Sequence, residues 1–204
     1  MKFQLNGIAL DLDTTPALFS PAAPDKGTIA MLNAVEITPS DKVLDLGCGC
    51  GIVGIYAAKI TGARNVTMTD VLQIAADTAK HNAIKNNLPE ITVLCGNAYE
   101  NVQRTDYTLI LSNPPYHTDF SVAKSFIEGA YKHLAAGGRM VMVTKRLDWY
   151  KNKLTSVFGG VKVIESEGYY VFISEKRQRK PEKSKAKNTL SKKLARKYER
   201  LRQQ

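Results

Sequence analysis

The sequence predicts an α/β protein with a doubly wound, mostly parallel sheet that carries helices on both faces. Short apolar segments of strand length alternate with longer segments in which apolar residues recur at helical spacing. This alternation is typical of right-handed β–α–β crossovers. In addition, polar or glycine-rich segments directly follow the first four predicted strands, at the end of the sheet where such folds bind ligands.

The predicted elements follow one another along the chain. Residues 1–24 form a lead-in with a hairpin turn at Asn6-Gly7, and Asp25 caps a helix that runs to about residue 36. The alternating elements after it are strand 42–46, helix 52–60, strand 65–70, helix 71–87, strands 91–94 and 107–111, helix 121–134, strand 139–144 and helix 149–158. Strands 161–164 and 169–174 then form an antiparallel pair that closes a seven-stranded sheet.

Composition limits the class of protein. The 204 residues, of which 44% are apolar, suffice for one domain with a proper core. No apolar segment approaches the roughly 18–20 residues of a membrane span, and residues 1–6 lack the apolar stretch of an export signal. Cys48 and Cys50 have no matching second pair, so zinc ligation is not indicated. We therefore expect a cytoplasmic protein with reduced cysteines, no membrane anchor and no metal site.

The net charge of +10 is concentrated at one end of the chain. Residues 175–204 hold 13 Lys and Arg against 3 Asp and Glu, so residues 1–174 are neutral overall. We predict a domain over 1–174 and a basic tail over 175–204 that contacts nucleic acid. Helical spacing of apolar residues in the tail predicts an amphipathic helix at 189–202, with Leu190, Leu194, Tyr198 and Leu201 on one face.

A glycine-rich turn, Asp45-Leu46-Gly47-Cys48-Gly49-Cys50-Gly51, follows the strand at 42–46. Missing side chains let a ligand approach the backbone there, and the N-terminus of the next helix favours a negative group. The run from Gly49 to Gly54 also fits the dinucleotide pattern GxGxxG. The turn alone therefore does not distinguish a dinucleotide from another nucleotide-like cofactor.

Two polar residues follow the next two strands. Asp70 comes 19 residues after Gly51, a position typical of a carboxylate that binds both ribose hydroxyls, although it can also cap the following helix. Asn97, in Cys95-Gly96-Asn97-Ala98-Tyr99, hydrogen-bonds an adenine edge or forms a turn. Both interpretations of each residue stay open.

The segment Ser112-Asn113-Pro114-Pro115-Tyr116-His117 follows the strand at 107–111. The prolines hold Asn113 in an extended, tight turn, and Pro115 has no N–H to occupy the Pro114 carbonyl. An amide, a carbonyl and the Tyr116 ring suit a planar group with an exocyclic –NH2. His117 either assists proton removal or is a polar rim residue, and Lys26, Lys145 and Arg146 are predicted near the rim.

Taken in this order, the motifs resemble the amino-group methyltransferases that use S-adenosylmethionine, whose signature is Asp, Asn or Ser followed by Pro-Pro and an aromatic residue. Over about residues 15–174 the chain is closer still to the small-subunit ribosomal-RNA guanine-N2 methyltransferases. The motifs that carry this resemblance are Phe19-Ser20, Asp25-Lys26-Gly27-Thr28, Val43-Leu44-Asp45-Leu46-Gly47-Cys48-Gly49, Asp70-Val71 and Ser112-Asn113-Pro114-Pro115-Tyr116-His117.

The resemblance implies a Rossmann-like methyltransferase domain over 1–174, with S-adenosylmethionine as cofactor and guanine N2 in ribosomal RNA or a ribosomal subunit as acceptor. It implies a cofactor site at Asp45, Gly47, Gly49, Gly51, Asp70, Val71, Asn97, Ala98 and Asn113. It implies a catalytic site at Asn113, Pro114, Pro115 and Tyr116. Adenine N6 in RNA or DNA and N5 of a protein glutamine stay open as acceptors. A non-catalytic RNA-binding module and an NAD-dependent oxidoreductase are the alternatives of a different class.

Overall fold

The computed structural model describes residues 1–16, 18, 23–115 and 120–177. A hairpin of β1 (Lys2–Leu5) and β2 (Ile8–Asp11) precedes the main sheet. The elements that follow are α1 (Lys26–Ala34), β3 (Val43–Leu46), α2 (Ile52–Thr61), β4 (Val66–Asp70), α3 (Gln73–Lys85), β5 (Thr92–Cys95), β6 (Tyr107–Ser112), α4 (Phe120–His133), β7 (Leu134–Thr144), α5 (Asp148–Phe158), β8 (Lys162–Ser166) and β9 (Tyr169–Glu175). Tyr116, His117 and the tail from residue 178 lie outside the described residues.

The large sheet has seven strands in the order β5-β4-β3-β6-β7-β9-β8. Strands β3 to β7 pair in parallel, whereas β9 pairs antiparallel with both β7 and β8. The chain steps outward from β3 through β4 to β5 and returns to the other side of β3 with β6. The switch point therefore lies between β3 and β6, and ligands of such sheets bind beyond the carboxyl ends of the strands there.

Residues of the central strands alternate between two apolar clusters, one on each face of the sheet. Val43 and Leu109 are fully buried in the cluster that includes α1, α2 and α3. Leu44 and Ile110 are fully buried in the cluster that includes α4 and α5. Burial on both faces explains why these strands are apolar throughout, since each such side chain stabilises the fold by roughly 1.5–3 kcal/mol. The predicted fold class is confirmed.

The largest difference from the sequence-based boundaries concerns β7. The glycine pair at 137–138 predicts a break before a strand at 139, but β7 begins at Leu134, directly after α4. Leu134 pairs with Tyr107, and the register then shifts so that Arg139 pairs with Leu109. Gly137 has φ of 81°, a conformation that glycine adopts without strain and that accommodates this irregularity.

The last strand also extends one residue past its predicted end at residue 174. β9 ends at Glu175, and the backbone of Lys176 exchanges two hydrogen bonds with the glycine pair of β7. Its N–H donates to the Gly138 carbonyl at 2.8 Å, and its carbonyl accepts from the Gly137 N–H at 2.7 Å. Within the described ranges, no helix has the length and apolar character to cross a membrane, and no three His, Cys, Asp or Glu side chains group as metal ligands.

Candidate active site

A cavity of about 500 Å³ lies at the carboxyl ends of β3, β4, β5 and β6. Its volume falls within the roughly 300–1,000 Å³ of small-molecule sites. Ten residues from the sequence-based prediction line it, namely Asp45, Gly47, Gly49, Asp70, Val71, Asn97, Ala98, Asn113, Pro114 and Pro115. The structure therefore brings together residues from four separate loops at the rim where the sequence predicted a site.

The glycine turn after β3 is anchored to the end of β4. The N–H groups of Gly47 and Cys48 both donate to the Thr69 carbonyl, at 2.9 and 3.0 Å. The Gly49 N–H donates to Asp70 Oδ2 at 2.9 Å. Gly47 has φ of 78°, which residues with a side chain rarely adopt. Three backbone donors thus fix the turn in a shape that leaves its outer surface open to the cavity.

Gly51 is the one predicted cofactor residue that does not line the cavity. It is the N-cap of α2, with φ of 89°, and a Cβ atom there would lie 3.2 Å from the Cβ of Ala79 in α3. Gly51 therefore lets α3 pack closely beneath the turn. A direct contact between Gly51 and a cofactor stays a prediction.

Asp70, at the end of β4, holds two of the loops that border the cavity. Its Oδ2 accepts from the Gly49 N–H, and its Oδ1 accepts from the Leu72 N–H at 3.0 Å. The N-cap of α3 is Leu72, so Asp70 is not the helix cap. A carboxylate oxygen accepts more than one hydrogen bond, and Asp70 thus retains capacity for the hydroxyl groups of a sugar.

Asp45 connects β3 to the first turn of α2. Its carboxyl group is 2% exposed and accepts from the Gly54 N–H at 2.8 Å. Burial raises the pKa of Asp45 to about 7; the nearby Asp70 carboxylate also raises it, and the Gly54 hydrogen bond opposes both effects. A Cβ at Gly54 would lie 2.4 Å from the side chain of Met68, so close packing requires the last glycine of the GxGxxG pattern.

Asn97 and Ala98 follow β5 and form the far wall of the cavity. The Asn97 N–H donates to Glu100 Oε2 at 3.2 Å, as in a tight turn. Ala98 is buried and has φ of 52°, the left-handed region that is uncommon for residues other than glycine. A contact between Asn97 and an adenine edge stays a prediction.

Asn113 directly follows β6, and its side-chain amide is held in one orientation. Its –NH2 group donates to Asp25 Oδ1 at 2.8 Å and to Thr28 Oγ1 at 3.0 Å. A carboxylate only accepts hydrogen bonds, so the amide nitrogen must face Asp25. Asn113 Oδ1 is buried and has no hydrogen-bond partner among the described residues. Leaving such an acceptor unsatisfied costs roughly 1–3 kcal/mol, which calls for a functional explanation.

A second buried side-chain atom, Thr69 Oγ1, also has no hydrogen-bond partner within the described chain. Thr69 and Asn113 both line the cavity. The two buried polar atoms without a partner thus belong to residues of the same cavity. Further apolar lining comes from residues outside the predicted site, including Leu18, Ile52, Leu72, Ala75, Val122 and Phe126.

The N-terminus of α1 forms part of the site, although the sequence indicated only a cap for Asp25. The same Asp25 Oδ1 that contacts Asn113 accepts from the Thr28 N–H at 3.0 Å and closes the first turn of α1. A Cβ at Gly27 would lie 2.7 Å from the Tyr169 ring, so α1 begins in close contact with β9. The available signal was the segment Asp25-Lys26-Gly27-Thr28, which lies among the motifs of the resemblance.

Basic side chains border the loop after β6. Lys26 is the first residue of α1, and Lys145 and Arg146 follow β7, the strand next to β6. The Lys145 ammonium lies 4.9 Å from the centroid of the Tyr169 ring, and the Arg146 guanidinium lies 4.9 Å from that of Phe120. These cation–π contacts hold the two positive charges against the Tyr169 and Phe120 rings, after the strand that neighbours β6.

Comparisons with known proteins agree with one another. Residues 9–174 match the family model described as Methyltransferase small domain. The chain is 30% identical over 182 residues to the ribosomal RNA small subunit methyltransferase C of Serratia proteamaculans. The aligned region spans 87% of this chain and 52% of that protein. It is 30% identical over 174 residues to the protein of the same name from Psychromonas ingrahamii, with coverages of 83% and 49%. The chain thus spans about half the length of the curated relatives it matches.

Two solved structures share the fold. A 16S rRNA N2 methyltransferase from Thermus thermophilus, in complex with AdoMet and guanosine, superposes with a TM-score of 0.76 at 23% identity, covering 87% of this chain and 50% of the other. A methyltransferase from Pyrococcus furiosus gives a TM-score of 0.70 at 22% identity, with coverages of 83% and 90%. At these identities the likeness concerns the α/β fold, which it confirms.

Proposed function

Because the chain belongs to the methyltransferase small domain family, we propose that it transfers the methyl group of S-adenosylmethionine to an exocyclic amine, namely guanine N2 in ribosomal RNA. The observation that carries this proposal is the Asn113 amide. Its nitrogen is held by Asp25 and Thr28, and its oxygen is a buried acceptor without a partner among the described residues. An amine that donates an N–H group is the chemical complement of that oxygen.

The cavity fits S-adenosylmethionine in its donor and acceptor set. Asp70 retains acceptor capacity for ribose hydroxyls. Val71 and Leu72 are 62% and 50% exposed although they are large apolar side chains, and both line the cavity. A planar, partly apolar adenine would cover them. The open glycine turn at 47–49 leaves backbone within reach of the amino-acid part of the cofactor.

When bound, S-adenosylmethionine would supply an electrophilic methyl group: the nitrogen–carbon bond forms as the carbon–sulfur bond breaks, and the nitrogen releases one proton to solvent. The amino group of guanine is a weak nucleophile because its lone pair is delocalised into the ring. Hydrogen bonds from this group to Asn113 Oδ1 and to the Pro114 carbonyl favour a pyramidal nitrogen, whose lone pair is then available. Asp25 and Thr28 fix the amide beforehand, so little reorganisation accompanies the reaction.

The burial of Asn113 Oδ1 adds a condition to this chemistry. An atom that is covered in the free protein accepts a hydrogen bond from a substrate only after its cover has moved. The target base must also leave its stack to reach the turn if it lies in structured RNA. Tyr116 is the predicted stacking platform for that base, with a contribution of roughly 1–3 kcal/mol.

Ribosomal RNA as the acceptor class is supported by two observations. The curated relatives are named as ribosomal RNA small subunit methyltransferases. Lys26 begins α1, next to the Asp25 that contacts Asn113, Lys145 and Arg146 follow β7, and residues 175–204 carry 13 further basic side chains. Phosphates that flank a target base suit this distribution. We accordingly propose a cytoplasmic enzyme whose partner is ribosomal RNA or a ribosomal subunit.

The deciding experiment measures transfer of a labelled methyl group to unmodified small and large ribosomal subunits, naked ribosomal RNA, tRNA and a glutamine-bearing protein. Digestion to nucleosides and mass analysis then identify the product. We expect N2-methylguanosine from one ribosomal RNA. N6-methyladenosine or methylglutamine would overturn the acceptor, and cofactor binding without transfer to any acceptor would favour an RNA-binding module.

A pair of variants tests the role of the amide. Asn113→Ala is expected to lose about 10²–10³ in turnover, as for a preorganised polar group at a reacting centre. Asn33→Ala removes an exposed asparagine of α1 and is expected to leave turnover intact. Full turnover in Asn113→Ala would contradict the proposed chemistry.

A further inference from the structure

One face of α3 contacts the cavity, the glycine turn and the N-terminal segment in succession. Ala75 lines the cavity, and Ala79 lies beneath Gly51. Asn82 follows almost one turn later and Asn86 one turn after that, and both are buried. Asparagine is a poor helix former and is costly to bury unless it is hydrogen-bonded. A fully buried asparagine inside α3, followed by a buried asparagine at the C-cap of the same helix, therefore requires a specific reason.

Asn82 links the glycine turn to the N-terminal segment through a single amide. Its side-chain –NH2 group donates to the Cys50 carbonyl and to the Asp13 carbonyl, each at 2.8 Å. Its Oδ1 accepts from the Asp13 N–H at 2.7 Å. Asn82 has no exposed surface, so water does not replace these partners in the folded state. One side chain thus fixes the backbone of two segments that are far apart in the chain, at Asp13 and Cys50.

Both segments lead into the wall of the cavity. Cys50 belongs to the glycine turn and lines the cavity itself. Beyond Asp13 the chain reaches Leu18, which is buried, donates its N–H to the Thr15 carbonyl at 2.9 Å and also lines the cavity. The Asn82 amide therefore connects two segments that both lead into walls of the same cavity.

We propose that Asn82 is a positioning residue of the cofactor site, which holds the glycine turn against the N-terminal segment in the shape that binds the cofactor. The segment around Asp13 is then a structural part of the site. The identity of the cofactor rests on the proposed function, whereas the coupling between α3, the turn and the segment rests on the contacts alone.

Asn86 provides a matched control one helical turn away. Its –NH2 group donates to the Asp11 and Asn82 carbonyls, each at 2.8 Å, and its Oδ1 accepts from the Asp11 N–H at 3.2 Å. It pairs with the N-terminal segment just as Asn82 does, but its hydrogen bonds within the described residues do not include the glycine turn. A purely structural role predicts similar consequences for the loss of either amide.

Asp13 keeps other contacts with α3 when Asn82 is replaced. Its carboxylate contacts Lys85 Nζ at 2.6 Å and His81 Nε2 at 2.9 Å. The N-terminal segment is therefore expected to stay docked in an Asn82 variant, so that the principal change falls on the turn at Cys50.

Thiol labelling tests the coupling without any cofactor. Cys48 and Cys50 are 8% and 7% exposed, and burial raises the pKa of both thiols, so both react slowly in the intact turn. We expect Asn82→Ala to speed maleimide labelling of Cys50 about tenfold through local opening, and Asn86→Ala to change it less than about twofold. Peptide mapping locates each label, and half-buried Cys95 on β5 serves as the internal reference.

Asn82→Asp distinguishes the role of the amide oxygen from that of the –NH2 group. It retains an acceptor for the Asp13 N–H but has no donor for the Cys50 carbonyl, so it is expected to label as Asn82→Ala does. Equal labelling rates in the Asn82 and Asn86 variants, or a rise at Cys95 equal to that at Cys50, would overturn the inference, because either result means that the whole fold has loosened.

Calorimetric titration with S-adenosylhomocysteine connects the coupling to function. The Asn82 variants are expected to bind about tenfold more weakly than the wild type, while Asn86→Ala binds within about twofold, because only the Asn82 variants must reorder the turn on binding. If the wild type does not bind, the proposed function fails, and the labelling result still decides the inference. An equal loss of S-adenosylhomocysteine affinity in the Asn82 variants and in Asn86→Ala would contradict the inference.

Discussion

The side-chain amide of Asn113 is joined to the carboxylate of Asp25, 88 residues earlier in the chain, by a hydrogen bond of 2.8 Å. The same carboxylate oxygen accepts from the Thr28 N–H and so forms the N-cap of α1. A helix cap therefore sets the orientation of the amide that is proposed to receive the target amine. Different substitutions of Asp25 should therefore affect the stability of the fold and the orientation of the Asn113 amide separately.

Replacement of Asp25 by Ser is predicted to lower turnover with little loss of stability. Serine is a good N-cap, so α1 should be retained, whereas its shorter side chain does not reach the Asn113 amide. Turnover should fall about 10–100-fold, the range for loss of a positioned polar group, and affinity for S-adenosylhomocysteine should stay within about threefold. Single-turnover methyl transfer and thermal unfolding measure the two effects.

Asp25→Asn is the matched variant, since its side-chain oxygen still accepts from both Thr28 and Asn113. We expect it to keep most of its activity. Equal losses in the Ser and Asn variants would show that the negative charge, and not the orientation of the Asn113 amide, is what matters.

Loss of the Asp70 carboxylate is predicted to weaken cofactor binding. Asp70→Ala removes the acceptor for ribose hydroxyls and also frees the N–H groups of Gly49 and Leu72. Hydrogen bonds to a charged group contribute roughly 1.5–3 kcal/mol, so the dissociation constant should rise about 10–100-fold. Asp77→Ala, an exposed site on α3, should bind as the wild type does in the same calorimetric titration.

The buried Asp45 carboxyl predicts a fall in stability between about pH 4 and pH 7. Its pKa is about 7 in the folded protein against 3.8 ordinarily, so the unfolded chain releases this proton at lower pH. The contribution of Asp45 to the free energy of unfolding is therefore complete below pH 3.8 and is lost as the pH rises to about 7. At roughly 1.4 kcal/mol for each pH unit, the loss is at most about 4 kcal/mol. Chemical denaturation at several pH values measures this loss.

Asp45→Asn should remove this dependence, because an amide keeps the acceptor for Gly54 and does not titrate. Carboxyl groups with a lowered pKa, such as Asp41, act in the opposite sense and only at more acidic pH. If the free energy of unfolding changed with pH from 5 to 8 in the wild type as it does in Asp45→Asn, the pH dependence would not come from Asp45.

Truncation after Arg177 is predicted to weaken RNA binding selectively. It removes residues 178–204, which carry 11 Lys and Arg against 2 Asp and Glu. The affinity for ribosomal RNA should fall, and its dependence on salt should become shallower, by about 0.7–0.9 in the logarithmic slope for each phosphate that the tail neutralises. Cofactor affinity and melting temperature should not change.

A second truncation, which removes residues 175–204, serves as the control. It also deletes the pairing of Glu175 with Arg139 and the backbone hydrogen bonds of Lys176 with the glycine pair at 137–138. We expect this shorter chain to melt at a lower temperature. If the chain that ends at Arg177 lost as much stability as the chain that ends at Ser174, the tail after residue 177 would have a structural role as well.

The fold was predictable because its signals are local. Each βα junction carries its own evidence, such as the apolar strand before the turn at 47–51 or the proline pair after β6, and the ordering of these units restricts the topology strongly. The grouping of Asp45, Asp70 and Asn113 at one rim followed from the same logic, since parallel strands end on the same side. The alternation of Val43 and Leu44 between two cores likewise needs only a sheet covered on both faces.

Other features depend on contacts between distant parts of the chain. The sequence marks Asp25 as a helix cap, but its contact with Asn113 depends on where α1 packs. Asn82 and Asn86 were a weak signal, as polar residues on an otherwise alanine-rich helix face, and their partners at Asp13 and Asp11 come from a segment that resembled a simple lead-in. The early start of β7 at Leu134 arose because pairing with Tyr107 outweighed the tendency of the glycine pair to break a strand.

The packing of α1 has a consequence for the order in which the protein becomes active. This helix is made early, yet it rests on β7 and β9, near the end of the domain, and Gly27 lies directly against the Tyr169 ring. Contacts so far apart in the chain close late in folding because the intervening loop entropy must be overcome first. A growing chain would thus complete β3 to β5 and their cofactor loops well before Asp25 can orient Asn113. Competence for methyl transfer should be among the last properties to appear during synthesis or refolding, later than the recovery of helical signal.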